Sequence, residues 1–210
     1  MVHLAGAVVV SRGFPLLAGV DLDIARATLT VLSGPNGAGK TSLLRLLGGL
    51  VALSSGDGRV AGIDLARGER RELRRSVGWL GHEGSFYDDL SVRENLTFAA
   101  RALERPLDGL DEALERVGLA TRSNTPTRLL SAGQRRRLAL AWLLVRRAPL
   151  WLLDEPYASL DDEARTLFDD VIGVALDAGA TVVVSAHQNL GVARESRVVC
   201  LAGGRIVERS

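Results

Sequence analysis

The sequence predicts an α/β protein whose parallel sheet carries a phosphate loop and is interrupted by a mostly helical stretch. Three observations predict it. The apolar run Leu29-Thr30-Val31-Leu32 leads into Gly34-Pro35-Asn36-Gly37-Ala38-Gly39-Lys40-Thr41, a full match to G-x-x-x-x-G-K-[ST], and a Leu-rich segment follows. A second apolar run, Leu150-Trp151-Leu152-Leu153, reads as a buried parallel strand and ends in the acids Asp154 and Glu155. From about residue 84 to 147 the pattern is mostly helical, whereas strands alternate with helices before and after it.

The loop carries the strongest chemical signal. Glycines at 34, 37 and 39 open backbone conformations closed to other residues, so several N–H groups can converge on one anion. The helix that starts near Lys40 adds its unpaired N–H groups and its dipole. Lys40 is expected to reach the β- and γ-phosphates of a nucleoside triphosphate, and the Thr41 hydroxyl to ligate Mg²⁺. Lys40 is also the only lysine in the chain, the other 25 of 26 basic residues being arginines. A compact ammonium on a flexible stem is kept at the one place where a point charge suits phosphate.

Composition narrows the class. The 210 residues suffice for one domain with a sizeable core, and 47% hydrophobic with 24% charged residues is ordinary for a globular protein. A net charge of +1 supplies no global field for nucleic acid or an anionic membrane, so no nucleic-acid partner is expected. The longest apolar stretch, residues 138–145, is far short of the roughly 18 residues of a membrane span. Met1-Val2-His3-Leu4 has no basic region ahead of its apolar residues, so no secretory leader is expected and the cytosol is the default compartment. The single Cys200 excludes an internal disulfide and, within Val198-Val199-Cys200-Leu201, reads as a buried thiol.

The remaining elements follow in order. Val8-Val9-Val10 and Val20-Asp21-Leu22-Asp23-Ile24 read as strands, Ser54-Ser55-Gly56-Asp57-Gly58 as a turn, and residues 59–63 as a short strand. Five arginines and two glutamates in 67–76 read as a solvated face. Val77-Gly78-Trp79-Leu80 is another strand, and Ser91-Val92-Arg93-Glu94 is a capping box opening a helix to about residue 103. Residues 107–117, 135–147 and 162–176 read as helices and 180–185 as a strand. Ala202-Gly203-Gly204 reads as a hairpin turn between residues 198–201 and 205–207.

Two further segments complete the chemistry. A buried strand delivers Asp154 to its carboxyl end, where open α/β sheets bind ligands. Asp154 can hold Mg²⁺ there, and Glu155 can polarise a water for attack on the γ-phosphorus. Leu130-Ser131-Ala132-Gly133-Gln134 contains a capping box, Ser131-x-x-Gln134, for the following helix. It also leaves a helix N-terminus suited to an anion.

With these residues in place the chain resembles the ATP-binding subunits of ABC transporters, whose signature is L-S-G-G-Q, over essentially its whole length. The resemblance implies an α/β P-loop NTPase fold with a RecA-like core (1–83 and 148–210), a small N-terminal antiparallel β subdomain and an inserted helical subdomain (84–147). Residues 34–42, including Ser42, correspond to Walker A, Asp154 to the Walker B magnesium carboxylate and Glu155 to the catalytic glutamate. Ser159-Leu160-Asp161 resembles the loop that crosses the dimer interface, and His187 the switch histidine at the γ-phosphate. Ser131, Gly133 and Gln134 would face the ATP of a second subunit in a head-to-tail dimer. The implied protein is an ATPase bound peripherally, through a separate membrane-spanning permease, to the cytoplasmic face of the inner membrane.

Leu80-Gly81-His82-Glu83, Leu130 to Gln134 and Ala186-His187-Gln188-Asn189-Leu190 resemble segments of the branch that serves haem export in bacterial cytochrome c maturation. Two positions depart from the family pattern. Glutamate stands at 83 where the family has a Mg²⁺-contacting glutamine; Glu83 can still ligate Mg²⁺, or it is a surface acid in a shifted register. The adenine-stacking aromatic has no clear match: Phe14 is the nearest candidate, a core or loop role is its alternative, and Ser11 competes for the position. These departures keep open a nucleotide-gated interaction module that hydrolyses little ATP, and the few matches to the branch keep open an ABC ATPase of a different exporter, of drug, peptide or lipid.

Overall fold

The computed structural model describes residues 1–81, 86–158, 160–186, 191–192 and 194–207. Among them, ten strands form two sheets. The first sheet is antiparallel, in the order β2-β1-β4-β5, from β1 (Val2–Ser11), β2 (Phe14–Ile24), β4 (Ser55–Val60) and β5 (Ile63–Asp64). The second takes β3 (Leu29–Ser33), β6 (Val77–Leu80), β7 (Leu150–Asp154), β8 (Thr181–Ser185), β9 (Ser196–Ala202) and β10 (Arg205–Val207) in the order β10-β9-β3-β8-β7-β6. All its pairings are parallel except the β9–β10 hairpin.

The helices are α1 (Lys40–Leu47), α2 (Arg70–Arg75), α3 (Val92–Ala102), α4 (Leu110–Arg116), α5 (Ala132–Arg146) and α6 (Asp162–Asp177). Three of them, α3 to α5, lie between β6 and β7 in the chain. The expected capping boxes at Ser91 and Ser131 are both formed.

Alternation along the central strands sorts the core into two layers. Leu150, Leu152 and Val183 face one side, against Leu43, Leu44, Leu46 and Leu47 of α1 and the antiparallel sheet. Trp151, Leu153, Val182 and Val184 face the other, against Leu138 and Leu140 of α5, Phe168 and Val171 of α6, and Leu96 of α3. Strands buried on both faces are continuous apolar runs for this reason, and β7 and β8 are buried at every residue.

Four local readings change. The segment 54–58, read as a turn, is mostly strand β4; Gly56 at φ 83° lets it pass against Gly6, whose carbonyl lies 2.2 Å from where a Cβ would stand. The strand read at 59–63 breaks at Ala61 and Gly62, both at positive φ, a primed hairpin turn linking β4 to β5. Cys200 is half-buried, because alternation along β9 turns Val199 and Leu201 into the core and Cys200 away from it. Phe14 is not in the core: it opens β2 with 74% of its surface exposed.

Candidate functional site

The phosphate loop, residues 34–41, joins β3 to α1 at the carboxyl edge of the parallel strands. Packing determines its shape. A Cβ on Gly34 (φ 140°) would stand 2.2 Å from the Leu201 carbonyl oxygen, and one on Gly39 (φ 106°) 3.0 Å from that of Leu16. The β9–β10 turn pins the loop from outside: Gly204 N–H donates to the Ala38 carbonyl at 3.0 Å, and Ala18 N–H of β2 donates to the Gly204 carbonyl at 2.8 Å. Among the described residues, the backbone N–H groups of Asn36, Gly37, Gly39, Lys40, Thr41 and Ser42 have no backbone acceptor. They form a cradle of donors at a helix start.

Lys40 is 95% buried at the head of α1, with an exposure of only 5%. Its Nζ donates to the carbonyls of Gly34 at 2.7 Å and Pro35 at 3.1 Å, which holds the ammonium inside the arch of its own loop. Helix termini support the same chemistry. Among the described α-helices, α1 and α5 are the two without an acidic residue in the first turn. The others carry Asp or Glu there, the usual partner of the positive helix end.

Asp154, at the end of β7, is 4% exposed. Its Oδ1 accepts from Thr41 Oγ1 at 3.0 Å and from Ser185 Oγ at 2.8 Å. No donor among the described residues addresses Oδ2, and no cationic side chain pairs with this carboxylate. A buried carboxylate without a cation is costly. The set it forms with the Thr41 hydroxyl is hard oxygen, so these residues fit Mg²⁺ completed by water and phosphate oxygens. They do not fit a dedicated protein cage, and among the described residues no group of three His, Cys, Asp or Glu is placed to hold an ion.

Ser185 is the residue that the sequence reading missed. Strand β8 lies between β3 and β7, with Ser185 in register with both Leu32 and Asp154. Its hydroxyl accepts the Glu155 N–H at 2.8 Å while donating to Asp154. The available signal was a hydroxyl closing the run Thr181-Val182-Val183-Val184, but only the strand order shows what it sits between.

Glu155 has φ 49°, left-handed and costing about 1–3 kcal/mol for a non-glycine residue. Its carbonyl accepts from Arg136 Nη2 of α5 at 2.8 Å and from Ala158 N–H at 3.2 Å. The following loop is tied to α6 by the Tyr157 hydroxyl, which donates to Asp169 at 2.6 Å. Burial, then the Asp169 carboxylate, push the Tyr157 hydroxyl well above its usual pKa, so it stays a donor.

The structure therefore joins Gly34 to Ser42, Asp154 and Glu155 in one place. It does not bring Ser131, Gly133 and Gln134 to that place, because α5 and α1 pack on opposite faces of the sheet. Ser131 Oγ accepts the Gln134 N–H at 3.2 Å and Gln134 Oε1 the Ser131 N–H at 3.0 Å; Ser131 and Gly133 are exposed. A Cβ on Gly133 would meet nothing within 4 Å, so its own chain does not require glycine there. Asp161 caps α6, accepting from Ala164 N–H at 2.8 Å. Glu83, His82, His187 and Ser159 lie outside the described residues.

A donor-lined loop on one strand, facing a buried aspartate two strands away, defines a P-loop nucleoside triphosphatase. The ABC transporter family profile matches residues 17–158. Over 174 residues the chain is 44% identical to a cytochrome c biogenesis ATP-binding export protein of Cupriavidus metallidurans, covering 82% of each. A protein of the same description from Rhodopseudomonas palustris is 41% identical over 190 residues, 90% of this chain and 93% of that one. A dimeric bacterial ABC transporter cassette superposes with TM-score 0.87 at 25% identity, covering 99% of this chain and 97% of that one. A dimeric cassette in a post-hydrolysis state, bound to ADP and Pi, gives 0.82 at 26%, with the same coverage. The chain belongs to the ATP-binding subunits of ABC transporters, enzymes that couple ATP hydrolysis to transport.

Proposed function

We propose that the chain powers export in cytochrome c maturation, with haem as the cargo, as a homodimer that closes on two ATP molecules and docks on a separate permease. The observation that carries this reading is the 44% and 41% identity, over most of both chains, to proteins described as cytochrome c biogenesis ATP-binding exporters. Among the described residues no helix is long and apolar enough to cross a membrane; the proposed attachment to the cytoplasmic face of the inner membrane is peripheral and runs through that partner.

The site supports the chemistry residue by residue. The loop N–H groups and Lys40 bind the phosphates and stabilise the charge that develops on them in the transition state. Thr41 and Asp154 would hold Mg²⁺, which would supply neutralisation of phosphate charge. Glu155 orients and polarises the attacking water, with Glu83 and His187 assigned beside it by family resemblance. The open end of α5, with Ser131 and Gly133, would close over the ATP held by the second subunit, and Asp161 would lie near that seam. Gln134 shapes this end through its cap.

Phe14 supports an adenine contact: it is exposed on β2, two residues before the Leu16 carbonyl that packs against Gly39. Phe14→Ala is expected to weaken ATP binding about tenfold, since base–aromatic stacking contributes roughly 1–3 kcal/mol, with kcat little changed. An unaltered Kd in a fluorescent-nucleotide titration removes Phe14 from this role.

A cleft of about 700 Å³ between α2, β6 and α5 suits the permease. Trp79 and Trp142 line it with Arg71, Arg74, Arg75 and Arg146, and the Arg146 guanidinium lies 5.6 Å from the Trp142 ring centre. The arginines of the segment read as a solvated face are exposed, and Arg71, Arg74 and Arg75 among them also form this rim. The test is complementation of a bacterium lacking its own subunit of this type. The wild-type chain is expected to restore haem-stained c-type cytochromes. Arg71→Glu with Arg74→Glu is expected to keep ATPase activity and lose that restoration. Restoring drug efflux instead would overturn the haem assignment.

A further inference from the structure

The catalytic loop is held from two sides, and one of the holders is this chain's own arginine on α5. Three consecutive arginines follow the capping box. Arg135 pairs with Asp88 at 2.7 Å and Arg137 with Glu163 at 2.8 Å, ordinary ion pairs with exposed carboxylates. Arg136 between them points elsewhere. Its Nη2 donates to the carbonyls of Glu155 at 2.8 Å and Pro156 at 2.9 Å, and its Nε to Pro156 at 3.2 Å. No carboxylate pairs with it among the described residues, and burial pushes its pKa down. A half-buried cation is directed at two backbone carbonyls and at no acid.

Those carbonyls belong to the strained turn. Glu155 at φ 49° is fixed on its N–H side by Ser185 and on its carbonyl side by Arg136. A side chain leaves the backbone in a direction set by φ and ψ, so this clamp determines where the Glu155 Cβ, and then its carboxylate, can go. Relaxation of the turn to negative φ would swing that direction away.

We propose that Arg136 is a positioning residue for ATP hydrolysis: it holds the Glu155–Pro156 turn in its left-handed conformation and ties it to the helix that begins at Ser131. This rests on the reading of Glu155 as the group that polarises water. The link has a consequence for the dimer. The end of α5 that closes over the partner's ATP and the glutamate serving this subunit's own ATP are two parts of one rigid connection, running from Ser131 through the first turns of α5 to Arg136. A displacement of α5 as the dimer closes therefore moves the Glu155 turn.

The test is steady-state ATPase kinetics on the purified full chain. Arg136→Met keeps the length and removes all donors. It is expected to lower kcat about 10–10²-fold, the cost of misplacing a reacting group by roughly 1 Å, with the KM for ATP within about twofold of wild type. Arg136→Lys, which returns one donor direction, is expected to recover part of kcat. In a Glu155→Gln background, Arg136→Met is expected to change the residual rate little, because the two act as a unit. Wild-type kcat in Arg136→Met, a rise in KM matching the fall in kcat, or a full multiplicative loss in the double variant overturns the proposal. If Arg136→Met does not fold, Arg136→Lys carries the same split of kcat from KM at smaller size. The two readings fail separately. Full turnover in Glu155→Gln removes Glu155 itself, whereas an inactive Glu155→Gln beside a fully active Arg136→Met removes only Arg136.

Discussion

Glu155→Gln is expected to lower steady-state ATP turnover about 10²–10⁴-fold, the usual contribution of a positioned general base. ATP binding is expected to survive, because the loop donors, Lys40, Thr41 and Asp154 are untouched. The substitution is nearly isosteric, so the left-handed turn and its bonds to Ser185 and Arg136 through the backbone persist. In the proposed dimer, ATP that binds and is not hydrolysed would leave the seam between two subunits filled. An ATP-dependent dimer is therefore expected to accumulate, visible by size-exclusion chromatography with light scattering. Unchanged turnover would remove Glu155 from the hydrolytic role, and a monomer at saturating ATP would count against the two-subunit clamp.

Lys40→Ala is expected to abolish measurable turnover and to weaken ATP binding at least tenfold. The loss of one transition-state donor alone costs about 10²–10³-fold in rate, and here two further effects add. The Nζ bonds to Gly34 and Pro35 brace the loop that presents the N–H donors, so their removal loosens the cradle. No other lysine exists in the chain to substitute for it. Arg at this position is not a rescue, because a planar fork is bulkier than the ammonium that fits inside the arch. A fully active Lys40→Ala would sink the phosphate-loop assignment.

Much of this site was legible because its chemistry is local in the chain. The loop needs glycines at fixed offsets, a lysine and a hydroxyl next to it, all within residues 34–41, and the apolar runs on either side announce strand and helix. The capping boxes at Ser91 and Ser131 were legible for the same reason, being closed between residues three apart. Where alternation had to be counted over more than a few residues, the reading was less sound. Glycine-rich β4 lacked the apolar signal of a strand, and its pairing came from β1, about fifty residues away. Cys200 sat in an apolar run whose two faces were not separable in one dimension.

What the sequence alone determined is the set of candidate reacting groups: a loop suited to phosphate, a lysine, a hydroxyl and two acids at the end of a buried strand. Their identities follow from residue type and short spacing, and both are written in the chain. What only the tertiary structure decided is who stands between them. Strand β8 is inserted between the strands that carry the loop and Asp154, which puts Ser185 in contact with both Asp154 and the backbone of Glu155. Helix α5 packs across the opposite face from α1, so Arg136 reaches the Glu155 carbonyl while Ser131 is left facing outward. Both contacts join residues about twenty to thirty positions apart through strand order and helix packing, properties of the whole core that no local spacing encodes.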